Sequence, residues 1–165
     1  MVVWLIGISG SGKSFYSKKI YNLIKKRKKT ILIDGDEVRK YITYNLKHSK
    51  KDREKNSLII SDLCKFLEIK GYIVICSILS IFKKHQKRNR NLFQKYLQIY
   101  IKSDFKKIIK RNNKKIYSQK NVVGKDIKFP IPYRSDITIE NNFDKSYKKN
   151  IGLIMKKINE KLKYN

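Results

Sequence analysis

The chain has 165 residues, 41 of them lysine or arginine against 13 aspartate or glutamate, a formal net charge of +28 at pH 7. That length suits a single domain, residues 1–165, built on one core, and no apolar run is long enough to span a bilayer, so a cytoplasmic protein with no membrane partner is the expectation. Only seven of the basic residues are arginine, so the planar fork that grips bases and phosphates is scarce. The lysine surplus therefore implies weak, salt-sensitive attraction to polyanions and no specific nucleic-acid partner.

The chain opens on an apolar strand, Val2-Val3-Trp4-Leu5-Ile6, and runs straight into Gly7-Ile8-Ser9-Gly10-Ser11-Gly12-Lys13-Ser14. Strand, glycine turn and helix start in that order make a complete G-x-x-x-x-G-K-S phosphate loop. Glycines there allow successive backbone N–H groups to curl around phosphate oxygens, and the positive end of the following helix adds its partial charge. Gly7, Ser9, Gly10, Ser11, Gly12, Lys13 and Ser14 thus form an expected ATP site. Lys13 reaches the β- and γ-phosphates, and the Ser14 hydroxyl is the metal ligand for Mg²⁺.

Further strand-like runs follow at 30–33, 72–76, 97–101 and 136–139, with helical periodicity at 13–27, 36–45, 52–69, 83–96, 104–111 and 145–162. The alternation predicts an α/β fold: a three-layer P-loop nucleoside triphosphate hydrolase or kinase fold with a central parallel five-stranded sheet. In the third helix Leu58, Ile59, Asp62, Leu63, Phe66 and Leu67 contain the expected core stripe. Cys64 and Cys76 stand apart without a C-x-x-C pattern and read as buried free thiols of a reducing compartment.

After the second strand comes Asp34-Gly35-Asp36-Glu37-Val38-Arg39. The carboxyl end of a parallel strand beside the phosphate loop is where ligands of such sheets bind. Two carboxylates there can take a proton from an attacking hydroxyl and order the water shell of Mg²⁺, or Asp36 can simply cap the next helix while Asp34 closes a turn. Arg53 and Asn56 lie three residues apart on one helix face, and Arg39 and Arg53 suit an anionic acceptor. Residues 112–132 are polar and then carry Gly124, Pro130 and Pro132; so long an irregular stretch reads as a lid that excludes water, with Arg111, Lys114 and Lys115 as its cations.

With these residues in order, the chain resembles adenylylsulfate kinases. The likeness runs over Trp4 to Ser14, Asp34 to Arg39, Asp52-Arg53 with Asn56, Gly71-Tyr72-Ile73-Val74-Ile75, and Ser80. The resemblance implies an ATP-dependent phosphotransferase with an alcohol acceptor, the ribose 3′-hydroxyl of a small nucleotide. Catalysis falls to Asp36 as base, with Lys13. Arg111 joins the ATP site, and Asp34, Arg39, His48, Arg53, Asn56, Ser80, Lys115 and Val122 form the acceptor site.

Family members clamp the acceptor's adenine between two phenylalanines, where this chain reads His48 and Val122, and their Lys-Gly-Leu-Tyr becomes Lys114-Lys115-Ile116-Tyr117. Each aromatic face stacked on a purine contributes about 1–3 kcal/mol, so a different acceptor base is expected. One branch of the family phosphorylates cytidine diphosphoramidate during capsule phosphoramidate assembly. That acceptor stands slightly ahead of adenylyl sulfate, the substrate of sulfate assimilation. Self-association into a homodimer stays open, as do two other classes: a small P-loop kinase for a sugar or shikimate-like acid, and a basic polyanion-binding protein.

Overall fold

A computed structural model describes residues 1–111, 117 and 122–163. The elements are β1 (Val2–Ile6), α1 (Lys13–Ile24), β2 (Thr30–Asp34), α2 (Gly35–Tyr41), α3 (Lys50–Ile69), β3 (Ile73–Ile78), α4 (Lys83–Leu92), β4 (Tyr96–Lys102), α5 (Phe105–Arg111), β5 (Ile137–Glu140) and α6 (Tyr147–Lys163). All five strands pair in parallel in the order β2-β3-β1-β4-β5. β1 is central, and every one of its residues is fully buried. Its side chains alternate by the pleat: Val3 and Leu5 pack with Tyr16 and Ile20 of α1 and Ile154 and Ile158 of α6. Val2, Trp4 and Ile6 pack the other way, with Ile60 and Cys64 of α3 and Phe93. Each such side chain contributes about 1.5–3 kcal/mol by leaving water. Two helical layers on a doubly covered parallel sheet are the predicted three-layer arrangement.

Where element ends depart from expectation, tertiary contacts decide them. α2 stops at Tyr41 rather than reaching residue 45, because the buried Thr43 donates its hydroxyl to Asn56 Oδ1 at 2.5 Å and draws the chain off the helix axis. α3 begins two residues early, at Lys50, since Ser49 caps it by accepting from the Asp52 N–H at 3.1 Å. α4 ends at Leu92, four residues short, where Phe93 turns extended and packs its ring at 6.2 Å from that of Trp4. The core stripe of α3 is also rotated from the reading of the sequence. Ile60 and Cys64 are fully buried and Leu63 and Leu67 pack beside them, but Ile59 and Phe66 are exposed. Cys64 and Cys76 are both buried free thiols.

Among the described residues no helix is long and apolar enough to cross a membrane. Of the expected lid, Tyr117, Val122 and Val123 are buried; Tyr117 and Val122 pack with Ile108, and Phe105 and Ile8 pack alongside. Lys114 and Lys115 lie outside the described residues.

Candidate active site

The chain leaves β1 at the carboxyl edge of the sheet, where its neighbours β3 and β4 were reached by connections in opposite directions. Gly10 and Gly12 take the left-handed conformation, with φ of 77° and 100°. Gly12 is the N-cap of α1 and offers no side chain to its first N–H groups, which are left for an anion. A Cβ on Gly12 would stand 2.5 Å from Asn141 Nδ2, so the loop closes only with glycine there. Lys13 folds back and donates from Nζ to the Ile8 carbonyl at 2.8 Å.

The end of β2 is tied directly to this loop. Asp34 Oδ2 accepts from Ser14 Oγ at 2.9 Å and from Ser77 Oγ at 3.0 Å, while Oδ1 accepts from the Asp36 N–H at 2.9 Å and caps α2. Asp34, expected in the acceptor site, is thus tied to the phosphate loop through Ser14 and lines the same cavity. Asp36 stands two residues on, in the first turn of α2, exposed at the cavity wall. Gly35 lets α2 begin this close to β3, since a Cβ there would meet Ile78 Cγ1 at 3.2 Å.

Both halves open into one cavity of about 720 Å³. Ser9, Gly10, Gly12, Lys13 and Ser14 line it from the loop, with Val122 beside them against Ile108 and Tyr117, and Arg39, His48, Arg53 and Asn56 line it from α2, α3 and the segment between them. The two arginines brace the segment between α2 and α3: Arg39 Nη1 donates to the carbonyls of Leu46 at 3.2 Å and Lys47 at 2.7 Å, and Arg53 Nε to that of His48 at 3.0 Å. Burial and then the charge of Arg39 loosen the proton of Arg53, against Asp36. His48 is pulled below its usual range by burial first, then by Arg39 and Arg53. Burial and the two nearby guanidiniums together favour the neutral imidazole of His48.

Arg111 also lines the cavity, its guanidinium 4.7 Å over the ring of Phe143. Three expected residues do not line it. Gly7 packs under the loop, where a Cβ would clash with the Ile101 carbonyl at 2.5 Å. Ser11 is fully buried and presents its carbonyl to Asn141 Nδ2 at 2.9 Å and Ser103 Oγ at 3.0 Å. Ser80, expected to touch the acceptor, is turned under α4 because Gln86 Nε2 donates to its carbonyl at 3.1 Å; Leu79 faces the cavity instead. Lys115 lies outside the described residues.

The sequence reading missed Ser77 and the turn after β5, where Asn141, Phe143 and Asp144 join the wall. An Asn-Asn-Phe-Asp cluster behind the last strand was the available signal.

Ser14 and Asp34 offer only hard oxygen donors, and among the described residues no group of three histidine, cysteine or acidic side chains gathers. That set fits Mg²⁺, which takes few protein ligands and draws the rest from phosphate and water.

The family model of adenylylsulphate kinase matches residues 1–140. A cytidine diphosphoramidate kinase of Campylobacter jejuni is 32% identical over 164 residues, 95% of each chain. An adenylyl-sulfate kinase of Pseudomonas aeruginosa is 30% identical over 148 residues, 84% of this chain and 76% of that one. In fold, the chain matches the solved Mycobacterium tuberculosis APS kinase CysC in complex with AMPPNP and APS, with a TM-score of 0.85 over 94% of this chain and 95% of that one, at 22% identity.

Proposed function

Since the chain belongs to the adenylylsulphate kinase family, we propose that it transfers the γ-phosphoryl group of ATP to the ribose 3′-hydroxyl of a small nucleotide, with cytidine diphosphoramidate ahead of adenylyl sulfate. The observation that carries the reading is the single cavity in which Lys13 and Ser14 face Asp34, Asp36, Arg39 and Arg53. Its cations suit two anionic substrates, and its carboxylates suit a proton and a metal.

Phosphoryl transfer through a loose transition state asks mainly for position and charge stabilisation. Asp36 takes the proton of the 3′-hydroxyl as that oxygen bonds to the γ-phosphorus. The bond from that phosphorus to the β–γ bridging oxygen breaks, and ADP carries the electron pair away. Lys13 leaves the Ile8 carbonyl to meet the phosphates, and Ser14 and Asp34 would hold Mg²⁺, which would supply positive charge against the phosphates. Arg111 and Phe143 flank the ATP end of the cavity.

The acceptor preference rests on His48 and Val122, both lining the cavity, which put an imidazole and an aliphatic side chain at the positions where the resemblance expects two phenylalanines. The 32% identity to a cytidine diphosphoramidate kinase over 95% of both chains supports the same choice, and a role in capsule phosphoramidate assembly would follow from it. Side-by-side turnover of the two acceptors with Mg-ATP tests it: kcat/KM should favour the cytidine compound. Strong activity on adenylyl sulfate with none on cytidine diphosphoramidate reverses the assignment.

A further inference from the structure

Ser77, next to last in β3, lies opposite Asp34 in the parallel register of β2 and β3, and it is 2% exposed. Its hydroxyl shares one oxygen of the Asp34 carboxylate with the hydroxyl of Ser14. A carboxylate only accepts hydrogen bonds, so both hydroxyls must point their protons at it. The lone pairs of Ser14 Oγ are thereby turned away from Asp34, free to meet a cation. The other Asp34 oxygen holds the first turn of α2 through the Asp36 N–H. One carboxylate orientation thus sets the metal-facing hydroxyl and the start of the segment bearing the expected base, and Ser77 is the buried group that fixes it from β3.

We propose that Ser77 is a positioning residue for the divalent cation of the transfer site, acting through Asp34 on Ser14; the role as stated rests on the kinase reading, but its test does not need the acceptor. Without the Ser77 hydroxyl, Asp34 keeps the Ser14 and Asp36 contacts yet loses the anchor that fixes its side-chain torsion against the strand. Alternative rotamers then let the Ser14 proton wander over the coordinating direction. Binding of nucleotide phosphates to the loop N–H groups does not pass through this link, so the metal and the nucleotide should respond differently.

The measurement is Mn²⁺ affinity by electron paramagnetic resonance titration in the presence of a non-hydrolysable ATP analogue, for wild type, Ser77→Ala, Ser77→Thr, Asp34→Asn and the Ala/Asn double variant. Ser77→Ala should weaken Mn²⁺ binding three- to tenfold with analogue affinity within twofold of wild type, and Ser77→Thr, which keeps the hydroxyl, should stay near wild type. In the Asp34→Asn background the alanine change should add nothing, because the two residues act as one unit. Melting curves confirm that each variant is folded; a misfolded alanine variant leaves the threonine rescue and the Asp34→Asn effect to decide. The inference is overturned if Ser77→Ala binds Mn²⁺ like wild type, if threonine fails as badly as alanine, or if the double variant loses the sum of both effects. A wild type that binds Mn²⁺ with the analogue yet phosphorylates neither nucleotide would instead remove the kinase reading and leave the positioning role standing on the titration.

Discussion

Tyr117 donates its hydroxyl to the Ser9 carbonyl at 2.6 Å, joining the region expected to cover the site to the crest of the phosphate loop. Its ring is buried edge-on against Phe105 at 5.1 Å, and its own carbonyl accepts from Lys125 Nζ at 3.0 Å. Tyr117→Phe keeps the packing and deletes one bond whose net value is about 0.5–1.5 kcal/mol. The KM for ATP should rise about two- to tenfold, with the melting temperature little changed, as steady-state kinetics and calorimetric melting would show.

Asp36→Asn leaves the shape of the cavity and removes the carboxylate proposed as proton acceptor. General-base catalysis contributes about 10²–10⁴-fold, so kcat should fall by that order with ATP affinity within about twofold. Single-turnover quench-flow with isothermal titration of ATP separates the two quantities, and an unchanged chemical rate would take Asp36 out of the proton transfer.

Arg53 supports the His48 backbone through Nε and lines the cavity with its guanidinium, which suits an anionic acceptor. A hydrogen bond to a charged group contributes about 1.5–3 kcal/mol, so Arg53→Gln should raise the acceptor KM about 10- to 150-fold and leave the ATP KM nearly unchanged. Arg53→Lys should not restore it, since an ammonium lacks the planar fork that serves carbonyl and anion together. Initial-rate kinetics with each substrate varied in turn would check both claims.

Acid stability turns on different groups at different pH. His48 and His85 are both lowered, first by burial, so the unfolded chain binds more protons than the native one and stability drops as pH falls below about 6.5. Glu68 is buried; burial opposes its ionisation, but bonds from the Gln94 N–H, Lys65 and the Lys95 N–H hold it below the usual carboxylate range. The Met1 amino group, 3.3 Å away, adds to the same effect. A depressed carboxylate stabilises fully above its unfolded pKa and loses that contribution as pH falls through the folded value. Urea melts from pH 7 to 3 should show two descending steps, and Glu68→Gln should lower stability at pH 7 while flattening the lower step.

Local pattern made much of this molecule legible. Five apolar runs separated by amphipathic stretches gave the parallel sheet, and Gly7 to Ser14 gave the phosphate loop, because each depends on neighbours in sequence. What escaped depends on partners far along the chain. Thr43 ends α2 through Asn56, and Asn141 reaches Ser11 across 130 positions. Ser80 went astray because a loop motif says nothing of Gln86, six residues on, which turns it inward. Ser77 carried no signal at all: a serine near the end of an apolar strand acquires meaning only once β2 lies beside β3 and brings Asp34 to it.

The claim at the centre is that this cavity delivers a phosphoryl group to a ribose 3′-oxygen. Incubation with Mg-ATP and either cytidine diphosphoramidate or adenylyl sulfate, followed by ³¹P NMR of the product, reads it directly. One new phosphomonoester signal coupled to H3′ is expected, formed in equal amount with ADP and absent with Lys13→Ala. ADP released without any phosphorylated nucleotide, or a phosphate appearing at another position, would contradict it.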